Sequence, residues 1–348
     1  MLVSELNNLP EEELISLIKE DERLYFFLDK KNITEDINLA LIEKNAILLE
    51  HIKNPSKKVQ LEAVKRYGKA IRYIKNPSEE VQLKAVQNDV STIEFIKNPS
   101  EKVQMSIVNN VLFSLEFIYK LGEKAQIEAV KNNAHSIQYI KNPSKKVQLA
   151  AVQRDGSAIE YIKNPSEKVQ IEAVQNNVYS IRFIKNPSKK VQLEAVKRYG
   201  KAIRYINNPS EKVQLEAVKS DGFAAYYLKN PSEKVQLEAV KQNSRAIQFI
   251  KNPCEKAQLA SVKSYHRAIC HIEHPTEKVQ LAAVKKNAHS IQYIKNPSEK
   301  VQIEAVKNNS WVIVHIKNPS KQIKQILLYE EDFPLKLPPN SFEYIKNL

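Results

Sequence analysis

The chain has 348 residues, of which 42% are hydrophobic, five are glycine and two are cysteine, and its formal charge is +14. So few glycines argue against a hairpin-rich fold or a phosphate-cradling loop. Two cysteines make no disulfide framework and suit a reducing compartment. No apolar stretch approaches the ~18 residues that read as a membrane span.

The opening, MLVSELNNLPEEELISLIKEDERLYFF, lacks the basic end, apolar run and small-residue cleavage site of a secretory signal. The expectation is a soluble, cytoplasmic protein. Residues 1–32 carry eight acids and four bases, and Pro10 to Phe27 reads as an acidic-faced capping helix. The remaining chain is therefore strongly basic. That composition suits an anionic partner, or simply a solvated face rich in lysine.

Thr34 to Asn54 reads as a diverged repeat with Ile37, Leu39, Leu41, Ile42, Leu49 and Ile52 in its apolar places. From Pro55 the string IKNPSEKVQ recurs, with prolines 22 residues apart except for one gap of 44, where Leu121 occupies the missing place. Twelve units thus run from Pro55 to Asn318 without an insertion or deletion. A fixed period of this length is the signature of a stacked repeat fold.

In the unit around Val191, Asn186-Pro187-Ser188-Lys189 reads as a helix start, with asparagine as cap and proline at the first helical position. Nine of the twelve units have glutamate at the place of Lys189, which suggests a capping box. Val191, Leu193, Ala195 and Val196 mark the buried sides of a first helix, ended near Gly200. A short second helix is expected to bury Ala202, Ile203, Tyr205 and Ile206. After Pro319, Ile323, Leu327 and Leu328 begin another unit, which Phe333 to Pro339 interrupts. The organisation expected is a capping segment over 1–32, a repeat array over 33–318 and a C-terminal cap over 319–348. One such pair cannot bury its apolar face alone, so neighbours must stack to form a continuous core.

A proline-started helix alternating with a very short second helix every 22 residues resembles the leucine-rich repeat variant group and, more loosely, HEAT-type repeats. That resemblance implies an all-α, right-handed α-solenoid of short α-helices alternating with 3₁₀ helices, serving as a binding scaffold. It transfers no catalytic residue.

Glutamine stands at one place in all twelve units, from Gln60 to Gln302. Between apolar flanks its amide needs partners, so a structural role bridging adjacent repeats is expected. Function is better sought where units differ. The second-helix row includes Lys69, Phe113, Tyr179, Lys201, Phe223, Arg245, Arg267 and Trp311, and three residues on comes a second row that includes Tyr226. Varied aromatics and arginines on one outer side are what partner hot spots are made of. Leu112, Phe113, Tyr119 and Leu121 suggest a further apolar patch. Lysines at one place on successive first helices, among them Lys102, Lys146, Lys168, Lys190, Lys212 and Lys234, could instead track a phosphate backbone.

Cys254, His266, Cys270, His271 and His274 are the residues of metal-ligating type, but they lack zinc-type spacing, and Cys254 and His274 open different repeats. His271 falls in the place of a buried aromatic. No nucleophile elbow, phosphate loop or carboxylate pair is present. The reading is a non-enzymatic scaffold that needs no cofactor, no small-molecule substrate and no membrane, and that binds another protein. Sequence-tolerant binding of DNA or RNA is the alternative.

Overall fold

A computed structural model describes residues 2–109 and 115–329, apart from the side chains at 115, 116, 324 and 327–329. The described residues form an all-α repeat structure of the solenoid type, with no strand among them. The chain divides into two compact units, Met1–Pro165 and Ser166–Leu348. Within each, a ten-residue α-helix alternates with a six-residue 3₁₀ helix, as in Lys57–Arg66 followed by Gly68–Tyr73 and Lys189–Arg198 followed by Gly200–Tyr205. Inside a unit the α-helix of one repeat packs on that of the next, and the 3₁₀ helix likewise, so each unit has two layers.

The cap differs from the sequence reading in a way the chemistry explains. Ser188, not Asn186, is the N-cap: its hydroxyl accepts from the Val191 amide and the helix starts at Lys189. Ser56, Ser78, Ser100, Ser144, Ser166 and Ser232 do the same in their units. The asparagine before the proline turns the chain instead, with φ near +50° at Asn54, Asn164, Asn208, Asn230 and Asn252. Asparagine tolerates this left-handed region better than other non-glycine residues. The glutamate after the serine is consequently the first helical residue rather than the third, and no capping box closes there. The second helix begins at Gly200, which the sequence places at the end of the first. Asparagine or aspartate just before it is a cap in its own right: Asn177 Oδ1 accepts from the Tyr179 amide at 3.0 Å and Asp221 Oδ1 from that of Phe223 at 2.9 Å.

The core is a uniform stack of small side chains. Val191, Ala195 and Val196 of the α-helix and Ala202, Ile203 and Ile206 of the second layer are buried, as are their described counterparts in the other units apart from the half-buried Leu228. Leu193 and Tyr205, expected inside, are only half-buried, and His271 is exposed. Two of the three sites are the last place of the 3₁₀ helix.

Both ends repeat the same grammar. Thr34 caps the helix Glu35–Lys44, and the 3₁₀ helix Ala46–His51 comes next, with Ile37, Leu41, Ile42, Leu49 and Ile52 buried. Leu39 is half-buried. The expected capping helix over Pro10–Phe27 is itself a pair, an α-helix over Glu11–Glu20 and a 3₁₀ helix over Glu22–Phe27. Lys321–Tyr329 opens the C-terminal segment with Ile323 buried, while the expected interruption at 333–339 lies outside the described residues.

Candidate functional surfaces

At three of its places the invariant glutamine ties its repeat to the next. Gln236 Nε2 donates to the Pro231 carbonyl of its own unit at 2.9 Å, and its Oε1 accepts from the amide of Cys254 in the next unit at 2.8 Å. Gln302 does the same with Pro297 and Ser320 at 3.0 and 3.1 Å, and Gln104 with Pro99 and Gly122 at 2.9 and 2.6 Å. Both ends of these amides are engaged with backbone.

The lysine row lies on the α-helical layer, where a second regularity accompanies it. The glutamate at the first helical position of one unit faces the cap serine and the lysine of the next. Ser188 donates to Glu167 at 2.6 Å and Thr276 to Glu255 at 2.9 Å. Lys102, Lys146, Lys190, Lys256, Lys278 and Lys300 stand 3.1–4.0 Å from the carboxylate one unit earlier. Hydrogen bonds shift the acids accordingly. Glu123 is held below the usual carboxylate value by a hydrogen bond from Ser144 and then by the charge of Lys146, and Glu255 by Lys278 and then Thr276. The rule even inverts in one place: where the first helical residue is Lys57, the next unit answers with Glu80 at 2.5 Å. Each of these exposed pairs is individually weak, but together they neutralise much of the row. The first helical residue one unit before Lys212 is Lys189 rather than an acid, and Lys168 and Lys234 also lie on this layer.

The second-helix rows lie on the 3₁₀ layer and face outward. Tyr179, Tyr226, Arg245, Arg267 and Trp311 are exposed, with Tyr226 at 63%. Lys69, Lys201 and Phe223 are half-buried. Lys69 and Lys201 lean on aspartates of the next unit, Asp89 at 3.7 Å and Asp221 at 3.4 Å. Phe113 and Leu112 lie outside the described residues; of the patch expected with them, Tyr119 is exposed and Leu121 is buried.

Aromatic rings of the row are braced by the next unit. Phe223 and Tyr226 both meet Phe249 edge-to-face, at 5.5 and 5.4 Å between centroids, and Tyr179 meets Tyr199 at 5.7 Å. Arginines one residue before the terminal ring lie over it, Arg182 on Phe183 at 4.4 Å and Arg204 on Tyr205 at 4.5 Å. Arg245 reaches Tyr265 in the next unit at 5.2 Å. Arg204 also donates to the hydroxyl of Tyr205. Such contacts fix long side chains before any partner arrives.

Sequence reasoning missed one surface. Leu61, Leu149, Leu193, Leu215 and their equivalents are half-buried along the α-helical layer. In the N-terminal unit Leu39, Ala40 and Leu61 floor a groove of about 890 Å³ rimmed by Asp36, Glu43, Lys58 and Lys65. The leucine comes two residues after a buried valine, a spacing that leaves it at the edge of a helical stripe rather than its centre. That offset is the signal the sequence offers.

Two arrangements of chemical groups fail on geometry. Ser157 donates to Asp155 at 2.7 Å and lies 3.5 Å from His135 Nε2. The serine therefore sits between acid and imidazole, whereas nucleophilic catalysis needs the imidazole in the middle. Among the described residues no group of three or more His, Cys, Asp and Glu converges on a metal position; Cys270 and His274 are both exposed. No described helix is long and apolar enough to cross a membrane. The chain matches no family model, no curated protein and no solved structure.

Proposed function

We propose that this chain is a non-catalytic repeat scaffold that grips another protein through the outward rows of its 3₁₀ layer, in the manner that leucine-rich repeat variant and HEAT-type repeats suggest. The observation that carries the reading is a contrast within one repeat. Places that pack are nearly invariant, Val191, Ala195 and Ile203 and their equivalents, while the exposed places on the 3₁₀ layer hold Tyr179, Tyr226, Arg245, Arg267 and Trp311. Exposed aromatics and arginines braced by neighbouring rings suit hot spots. Two free cysteines, Cys254 and Cys270, suit a cytoplasmic setting.

Nucleic-acid binding along the lysine row is the weaker reading, because glutamates one unit away offset much of its charge. Capture from nuclease-treated lysate separates the two. The full-length protein is expected to retain a protein partner at near-physiological salt, and the triple variant Tyr179→Ala, Tyr226→Ala, Trp311→Ala to retain at least about tenfold less, as loss of ~1.4 kcal/mol of binding would give. Capture that nuclease abolishes, or that the triple variant leaves unchanged, contradicts the proposal.

A further inference from the structure

The two outward rows differ sharply between the compact units. In the N-terminal unit they mix Lys69 and Arg72 with Glu94 and Glu160. In the C-terminal unit, from Tyr179 to Val314, they hold Arg182, Lys201, Arg204, Arg245 and Arg267 and no acid. Lys201 is answered by Asp221. The four arginines have aromatic or solvent neighbours instead: Arg182 and Arg204 over Phe183 and Tyr205, Arg245 over Tyr265, and Arg267 exposed. Lys185, Lys229 and Lys251 flank the same layer, each exposed just after its 3₁₀ helix.

This basicity differs in kind from that of the α-helical layer. There, the α-helices from Glu167–Asn176 to Glu299–Asn308 carry eleven glutamates among sixteen lysines and arginines, and Lys190, Lys256, Lys278 and Lys300 each stand by a carboxylate one unit earlier. Here the cations are mostly guanidinium groups, three of which, on Arg182, Arg204 and Arg245, lie over ring faces 4.4–5.2 Å from their centroids. A guanidinium stacked in this way keeps donors free at its edge, and those donors match a carboxylate in two-point geometry. Because the Tyr205 hydroxyl accepts from Arg204, its own proton is available to donate. Tyr226, the most exposed of the described tyrosines, phenylalanines and tryptophan, stands between Arg204 and Arg245 in the rows and offers an apolar anchor.

We infer that the 3₁₀ layer of the C-terminal unit, from Tyr179 to Arg267, docks an extended acidic polypeptide segment whose carboxylates meet Arg182, Arg204, Arg245 and Arg267 in succession. The inference rests on the protein-binding reading above and narrows it to one partner chemistry. Charge complementarity selects an anion. The choice of polypeptide over single-stranded nucleic acid comes from the rings. Sequence-tolerant strand binding uses open aromatic faces on which bases stack, whereas Phe183 and Tyr205 each have one face under an arginine and Tyr179, Phe223 and Tyr226 each make an edge-to-face contact with a neighbouring ring. An extended chain with an acid near each repeat needs no intercalation slot.

The test is fluorescence anisotropy on the full chain at near-physiological salt with three labelled probes: a glutamate-rich peptide, its glutamine counterpart and an oligothymidylate of similar length. The glutamate peptide is expected to bind, and the glutamine peptide to bind at least about tenfold more weakly. The variant Arg182→Gln, Arg204→Gln, Arg245→Gln, Arg267→Gln is expected to weaken the glutamate peptide by a similar factor or more. A second variant on the other layer, Lys190→Gln, Lys212→Gln, Lys234→Gln, is expected to leave it within about twofold. Circular dichroism melts check that both variants keep the parent fold. No binding of the glutamate peptide, binding unmoved by the arginine changes, binding lost with the lysine changes, or tighter binding of the oligothymidylate would each overturn the inference. Failure here with partner capture still lost in the Tyr179/Tyr226/Trp311 variant leaves the broader reading standing; failure of both removes both.

Discussion

Replacing Ile181 with alanine is expected to destabilise the C-terminal unit by about 2–4 kcal/mol, the range for emptying a fully buried aliphatic site. Ile181 is wholly buried in the 3₁₀ helix Val178–Phe183. That helix packs on the α-helices Glu167–Asn176 and Lys189–Arg198 and on the next 3₁₀ helix, Gly200–Tyr205. One truncation therefore weakens a repeat and its interface with the next repeat together. Neighbours cannot close the gap easily, because Ala173 and Ala195 on the two helices it packs against are already fully buried. Urea denaturation of the full chain measures the effect. Val314→Ala, at a half-exposed site on the same layer, serves as the control and should stay within about 0.5 kcal/mol. A loss below about 1 kcal/mol at Ile181 would contradict an interior packed as described.

Gly200→Val is the second large effect, with an expected cost of about 1–3 kcal/mol through overpacking. The reason is space and not backbone freedom, since no glycine has positive φ among the described residues. A Cβ at Gly200 would sit 2.4 Å from the Ala217 carbonyl oxygen and 2.9 Å from the Asp221 amide nitrogen, both in the next repeat. Backbone cannot swing aside as a side chain can. The same place carries valine at Val178 and alanine at Ala288, so the spacing between neighbours is set unit by unit. Thermal unfolding of Gly200→Val beside Gly200→Ala gives the comparison. A valine variant that melts like the parent would show that the last turn of the next helix is not held so close.

The same place shows what the sequence conceals. Repetition at 22 residues, the helix pair in each unit and the identity of the core at Val191, Ala195 and Ile203 are all legible, because packing constrains those places identically in every repeat. The cap sits two residues later than its sequence pattern suggests. Asparagine and serine both cap helices, and a proline between them fits either frame; only the left-handed φ at the asparagines separates the two. Leu193 looks like core because it is apolar and recurs as leucine or isoleucine, yet its angular offset from Val191 leaves it at the rim.

The outward rows are legible as varied positions but not as a surface. Nothing in the residue string says that Arg245 lies over Tyr265, or that Phe223 and Tyr226 both lean on Phe249, since those contacts depend on how one repeat sits on the next. Likewise the lysine row reads as a basic stripe until the carboxylate one unit away is placed beside each lysine. The exchange of Lys57 and Glu80 is present in the sequence, and it is the single clue that this row balances charge between repeats. Division of the array after Pro165 leaves no mark in the period at all.

Hydroxyl-radical footprinting of the unliganded full chain tests the central claim most directly, because it reads solvent access ring by ring. Tyr179, Tyr226 and Trp311, exposed on the 3₁₀ layer at 43%, 63% and 46%, are predicted to oxidise rapidly, while Tyr25, buried at 5%, oxidises at least about tenfold more slowly. Oxidation of Tyr179 and Tyr226 as slow as that of Tyr25 would place the varied side chains inside the protein and contradict the account.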